Sequence, residues 1–168
     1  MTSEPRTPIR PLGAADVDAV ATLARTVWQA TYPALISQAQ IDAMLADRYA
    51  PARMRAQLDD PAHAWRVAWQ DDTPVGFAHA YRDDENCKLD KLYVDPAQQR
   101  RGLGAALLAE IERWARAHGA ARVRLQVNRG NAAALRAYAR YGFTIVESRV
   151  FDIGDSFVMD DHVMEKPL

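Results

Sequence analysis

Residues 88–142 alternate between strand and helix, and that alternation constrains the fold more than any other feature of the chain. KLDKLYV (88–94) reads as a strand stopped by Asp95-Pro96, and a helical pattern then runs from Gly102 to His118, closed by Gly119. ARVRLQV (121–127) is a second strand, followed by a helix from Asn131 through Tyr141 that Gly142 closes. Two strands joined through a helix call for a parallel pair.

The flanks obey a different logic. AWRVAWQ (64–70) and PVGFAHAY (74–81) surround the turn residues Asp71-Asp72-Thr73, so they read as a hairpin. FTIVESRVF (143–151) and SFVMDDHVMEKPL (156–168) are two more strand candidates. Antiparallel ends around a parallel pair give a mixed α+β sheet. Upstream, Val17, Val20, Leu23, Ala24, Val27 and Trp28 recur at helical spacing within residues 14–31, a helix that Tyr32-Pro33 ends. Ser37 and Gln40 have capping-box spacing ahead of Ile41, Met44 and Leu45, and Pro51 opens a third helix that turns Met54 and Leu58 inward. The polar start MTSEPRTP is expected to fray or to lead into a short edge strand near Ile9. In 88–94 alternation fails, because Leu89 and Tyr93 share one parity while Leu92 and Val94 share the other. Burial on both faces or a local bulge would each produce that.

The 168 residues suit one domain spanning 1–168, with no repeat, low-complexity tract or linker to divide it. Apolar residues make up 49% and charged residues 26%, so the chain lies well away from disordered compositions. A net charge of −1 argues against nucleic acid or an anionic membrane as the main partner, and no apolar run reaches the length of a membrane span. The single cysteine, Cys87, cannot form an internal disulfide, so a reduced, cytoplasmic setting is expected. His63, His79, His118 and His162 show no metal-ligand spacing, so no metal is expected.

The loop DPAQQRRGLGAALL (95–108) carries two arginines and two nearby glycines where a helix begins. Amides at a helix start lack internal partners and attract anions, and glycine lets a phosphate approach the main chain. A phosphate nest and a plain solvated helix entry are both open on these residues alone. A Walker A loop is absent, and a dinucleotide fingerprint would need glycine where Leu107 stands.

What remains, Gln99-Arg100-Arg101-Gly102-Leu103-Gly104 after LYVDP, closely resembles the pyrophosphate loop of the GNAT superfamily of acetyl-CoA-dependent N-acetyltransferases. A second landmark agrees with it. In NRGNAAALRAYARYGF (128–143), Asn131, Ala134, Tyr138 and Gly142-Phe143 match the superfamily's other signature, one strand later.

The resemblance implies a mixed, mostly antiparallel sheet whose parallel pair splays open, with the pantetheine arm of CoA in the gap against the main chain of Leu92, Tyr93 and Val94. It implies that Arg100, Arg101, Gly102, Leu103, Gly104 and Ala105 hold the pyrophosphate and that Asn131 reaches the cofactor from the other side. Tyr138 takes the position of the general acid that protonates the thiolate; a phenol of pKa about 10 stays protonated at neutral pH. For the general base, Lys88 stands where many relatives carry a glutamate. Asp90, Glu85 and His79 are candidates, as is a water chain. Cys87 has no motif partner that would make it a nucleophile, so direct attack in a ternary complex is expected.

VWQATYPALIS (27–37) and FDIGDSFVMDDHVMEKPL (151–168) resemble a bacterial branch that includes spermidine/spermine-type acetyltransferases. On that reading Trp28, Tyr32 and His79 wall the acceptor pocket, Asp83, Asp84, Glu85 and Asp155 attract a polycation, and the acceptor is a small primary amine. Acetylation of a peptide N-terminus, an amino acid or an aminoglycoside-like amine is the alternative, as is a non-catalytic CoA-binding regulatory module. A homodimer is possible on the resemblance, and no interface is legible.

Overall fold

Helix formation in the first third follows the apolar spacing closely. The computed structural model describes residues 7–168; the frayed start expected for MTSEPRTP falls mainly on residues 1–6, outside that range. After a short edge strand β1 (Ile9–Pro11) and one 3-10 turn at Ala14–Asp16, α1 spans Val17–Thr31 and buries Val17, Val20, Leu23, Ala24, Val27 and Trp28. Helix α2 (Gln38–Arg48) is capped by Ser37, whose Oγ accepts the Gln40 backbone N–H at 3.1 Å. The Gln40 side chain does not close the capping box; it donates instead to the Val158 carbonyl at 2.8 Å. Helix α3 (Pro51–Leu58) begins with its proline, where a missing N–H costs nothing.

The sheet has seven strands. β2 (His63–Gln70) and β3 (Thr73–Asp83) form the expected hairpin, then come β4 (Asn86–Val94), α4 (Leu103–Ala117), β5 (Arg122–Asn128), α5 (Ala132–Arg140), β6 (Thr144–Gly154) and β7 (Phe157–Pro167). Their order is β1-β2-β3-β4-β5-β7-β6, with every pairing antiparallel except β4 with β5.

Two cores clothe the two faces. Alanines 64, 68, 78 and 80 give β2 and β3 a low surface on which Leu107, Leu108 and Ile111 of α4 pack, with Val123, Leu125 and Phe143 alongside. The opposite face carries the bulky residues Trp65, Val67, Trp69 and Phe77 under α1, α2 and α3. Large side chains on one face and small ones on the other let helices cover both.

Two irregularities position the site. His79 pairs with Lys91 and Ala80 with Leu89, so Asp90 stands unopposed in a bulge. Leu89 and Leu92, three apart, therefore both pack on the α4 face, while Tyr93 turns to the other. The second irregularity is the parallel pairing itself. It extends only over Asn86–Lys88 against Arg122–Arg124, and β4 then leaves β5, which continues along β7 to Asn128.

Candidate active site

The gap between β4 and β5 opens into a cavity of about 1460 Å³. At one end lies the loop before α4. Asp95 Oδ1 accepts the Ala97 N–H at 3.0 Å and starts the turn; Arg100 and Gly102 then adopt φ of +70° and +74°. Positive φ at an arginine is strained, and left-handed residues in a loop turn successive amides toward one point, a concavity that receives anions. Gly102 caps α4, so the amides of Leu103, Gly104 and Ala105 open at the helix's positive end. At Gly104 a Cβ would lie 3.0 Å from Tyr141 Oη, so this stretch of main chain stays bare only with glycine.

Of the residues expected around the cofactor, Leu92, Tyr93, Val94, Arg100, Gly102, Leu103, Gly104, Ala105, Asn131 and Tyr138 all line this cavity. Arg101 is not among the lining residues and is exposed. Asn131 uses its carboxamide oxygen to accept the Ala134 N–H at 3.2 Å and cap α5. Tyr138 packs on Phe143 with ring centroids 5.5 Å apart, and burial raises its phenol above the ordinary value, which keeps it a proton donor. Arg136 and Arg140 of the same helix also reach the cavity, in phase with its lining face.

At the other end the walls are aromatic. Tyr32 and Tyr93 share a hydrogen bond between hydroxyls at 2.8 Å. Trp28 stands behind them, buried, 4.4 Å from the Tyr32 ring, and its indole N–H donates to Tyr49 Oη at 3.1 Å. Ile36, Met44 and Met159 supply aliphatic surface, and Asp155 marks the rim from the β6–β7 turn.

Beside the gap lies a buried charged cluster. Arg48 Nη2 donates to Asp90 Oδ1 at 3.0 Å, Lys91 Nζ lies 2.5 Å from Asp90 Oδ2, and His79 Nδ1 lies 3.2 Å from the same oxygen. Burial would raise the Asp90 carboxyl, but Arg48, His79 and Lys91 together hold it well below the usual carboxylate range. Burial pulls Lys91 down to about 8 and His79 to about 4, against the pull of Asp90 on each.

Two sequence expectations change here, and the inertness expected of Cys87 gains a physical reason. His79 is only 1% exposed and lies stacked between Trp65 and His63, with its Nε2 2.8 Å from His63 Nδ1, so it backs the core and is no part of the acceptor wall. Asp83, Asp84 and Glu85 sit at the β3–β4 turn, the end of β4 far from the anion loop, roughly 25 Å of strand away. Nearness in sequence to β4 misplaced them. Cys87 is sealed in the α4 core and burial pushes its thiol up to about 12, which denies it both access and a thiolate.

Arg48, Lys91, Tyr49 and Gln126 carry no signal in the sequence, since pairs such as Arg48 with Asp90 and Tyr32 with Tyr93 join segments 42 and 61 residues apart. Among the described residues no cluster of three His, Cys, Asp or Glu is placed to hold a metal, and no helix is long and apolar enough to cross a membrane.

Comparison with known proteins matches this geometry. The profile of the acetyltransferase (GNAT) family covers residues 24–143. An uncharacterised N-acetyltransferase of Mycobacterium tuberculosis is 34% identical over 154 residues, 91% of this chain and 98% of the relative. A spermidine N(1)-acetyltransferase of Thermoplasma acidophilum is 24% identical over 156 residues, 90% of this chain and 94% of the relative. Among solved structures, the PaiA N-acetyltransferase of Thermoplasma acidophilum in complex with coenzyme A superposes with a TM-score of 0.83 at 24% identity, covering 96% of this chain and 98% of that one. The chain belongs to the GNAT acetyltransferase family and is an acetyl-CoA-dependent N-acetyltransferase.

Proposed function

We propose that this enzyme acetylates a primary amine of a small molecule carried on a flexible aliphatic chain, with polyamines first among the acceptors. The carrying observation is the aromatic and aliphatic half of the cavity, where Tyr32, Tyr93, Ile36, Met44 and Met159 face the anion loop across the β4 gap. Methylene spacers suit that surface, and tyrosine faces suit a nearby ammonium. Asp155 is the one acidic residue of the four expected to draw a polycation that lies on the cavity rim. The similarity to a spermidine N(1)-acetyltransferase over nine-tenths of the chain supports the same acceptor class.

The cofactor's pyrophosphate sits against the amides of Gly102, Leu103, Gly104 and Ala105 with Arg100 beside them, and its pantetheine arm runs along the main chain of Leu92–Val94. Asn131 closes the opposite side. Holding thioester and amine together supplies most of the geometric advantage, and an N–H near Val94 polarises the thioester carbonyl. As the carbon–sulfur bond breaks, Tyr138 donates its phenolic proton to the thiolate. Asp90, held by three partners, binds a proton weakly and serves to shape β4.

Thiol release from acetyl-CoA with a panel of polyamines, amino acids, aminoglycosides and N-terminal peptides tests the assignment. Polyamines should react fastest; faster release with any other group would move the acceptor class to it. Acetyl-CoA alone should raise the melting temperature through selective binding to the folded state.

A further inference from the structure

Buried carboxylates are ordinarily bonded, and the others near this site obey the rule. Asp90 holds Arg48, Lys91 and His79, and Asp161's exposed neighbour on β7, Asp160, lies 2.7 Å from Arg129 Nε. Asp161 does not. It is 0% exposed, and both of its carboxylate oxygens lack any hydrogen-bond partner, a condition shared by no other carboxylate among the described residues.

Its place in the sheet gives that isolation a meaning. Asp161 lies opposite Asn128 on β5 and Arg149 on β6, so the three side chains share one face. Asn128 and Met159, two residues earlier on β7, line the main cavity. Val163, two residues later, lines a second hollow of about 150 Å³ with Arg149 and Phe151. Asp161 itself lines neither hollow; it lies beneath the surface between them, beside Asn128 at the end of β5 where β4 has parted from it. Lys88 and Gln126 line both hollows and bond to each other. Leu125, buried, also lines both, so the partition between them joins two flexible side chains to one core residue.

We propose that Asp161 is the carboxylate that takes the proton of the acceptor's ammonium. The charged and titratable groups around it are Arg48 from α2, Lys88 and Tyr93 from β4, Asp160 beside it and Arg149 across the ladder. Arg48 is engaged by Asp90, Lys88 by Gln126 and Arg149 by Glu147. Burial first, then Asp160, push its carboxyl up to about 6 against Arg48 and Lys88, near the range in which a base works at neutral pH.

Protons and electron pairs balance across the step. The ammonium gives one proton to Asp161, and the freed nitrogen lone pair forms the carbon–nitrogen bond at the thioester carbonyl. The carbon–sulfur bond then breaks and the sulfur takes the Tyr138 phenolic proton. The nitrogen's surplus proton restores the phenol, and Asp161 loses its proton to solvent as the amide leaves. One proton is released per turnover. This rests on acetyl transfer to an amine and on the Tyr138 assignment above, and not on which amine is used.

The test compares wild type, Asp161→Asn and Asp160→Asn with acetyl-CoA and spermidine, or with the fastest amine of the panel. Asp161→Asn should lower kcat by about 100-fold or more while leaving acetyl-CoA affinity within twofold, and Asp160→Asn, which removes a charge that raises the Asp161 carboxyl, should shift the acid limb to lower pH with a far smaller loss of kcat. The acid limb of kcat/KM near pH 6 should vanish in Asp161→Asn. Its rate should instead climb about tenfold per pH unit toward pH 9, because solvent then supplies the neutral amine. A kcat within threefold of wild type, or an unchanged pH profile, overturns the proposal. A second measurement needs no acceptor: relative to wild type, Asp161→Asn should gain melting temperature as pH rises from 4 to 7, as the buried charge it removes develops. An Asn variant equally destabilised at pH 5 and pH 8 would mean a bonded structural carboxylate and also overturns the proposal. Failure of wild type with every amine would instead remove the acceptor assignment, and the stability comparison would still decide whether Asp161 is the unpartnered carboxylate that the inference requires.

Discussion

Arg48 Nη2 on α2 donates both to the Asp90 carbonyl oxygen at 2.9 Å and to its carboxylate Oδ1 at 3.0 Å. One guanidinium thus grips main chain and side chain of the bulged residue at once and ties helix α2 to the irregularity in β4. The bulge carries the site: it keeps Leu92 and Val94 against α4 while Tyr93 faces the acceptor half.

Asp90→Asn should therefore destabilise the protein by about 2–3 kcal/mol, because it leaves the Arg48 and Lys91 cations together without their counter-ion. Urea denaturation measures this. The Asp90 carboxyl is depressed in the fold, so its contribution is complete above the unfolded carboxylate pKa of about 4 and is lost as pH falls through the folded value. The gap between wild type and variant should therefore shrink as pH falls below about 4. A gap that stays unchanged down to about pH 2 would sever the link between this carboxylate and the bulge.

Tyr138→Phe removes one hydroxyl from a ring packed on Phe143, so the fold should be undisturbed. We expect kcat to fall by about 100-fold, with acetyl-CoA affinity by calorimetry unchanged. Burial raises this phenol, so the wild-type rate should show no loss of the acid form up to pH 9. Equal turnover by the two proteins would take Tyr138 out of the proton path.

The two glycines of the loop do different work, and two substitutions separate them. Gly102 has φ of +74° with nothing within 4 Å of a Cβ, so Gly102→Ala costs only backbone strain of about 1 kcal/mol. At Gly104 a Cβ would lie 3.0 Å from Tyr141 Oη, so Gly104→Val forces a branched side chain against that ring on the stretch of main chain we assign to the phosphates. Acetyl-CoA Kd should rise by tenfold or more in Gly104→Val and by less than about threefold in Gly102→Ala. Similar losses in both would mean that loop conformation, rather than bare amides, sets the affinity.

Periodic features are legible in the order of the residues. The apolar rows of α1, the Ser37 cap, the Pro51 start and the strand-to-helix alternation of 88–142 are local, and local physics writes them into adjacent residues. The broken alternation at Leu89–Val94 leaves two explanations open, and the ladder shows the bulge at Asp90. Illegible features are those made by tertiary contact. His79 is a base and pocket candidate until β2 stacks His63 and Trp65 on it, and nothing in the order of residues marks Asp161 as buried until the sheet closes over it. Strand direction, invisible in composition, carries Asp83–Glu85 away from the site.

His79 and Asp161 should oppose one another in acid, and this is testable as a slope. Burial lowers His79 from 6.5 to about 4, so the unfolded chain binds that proton more tightly and the fold loses stability as pH falls from 6.5 toward 4. Burial raises Asp161 from 3.8 to about 6, so the folded chain binds that proton more tightly and gains stability over nearly the same interval. Each effect amounts to about 3 kcal/mol across its window, so wild-type stability from these two groups should be nearly flat between pH 4 and 6.5. Removing either group should expose the other. Asp161→Asn should lose stability steeply on acidification, whereas His79→Gln, although less stable overall for want of its bonds to His63 and Asp90, should gain stability relative to wild type over the same range. Urea denaturation at half-unit pH steps reads both slopes. A His79→Gln curve parallel to wild type would mean that the fold does not weaken proton binding at His79, in conflict with its burial between Trp65 and His63.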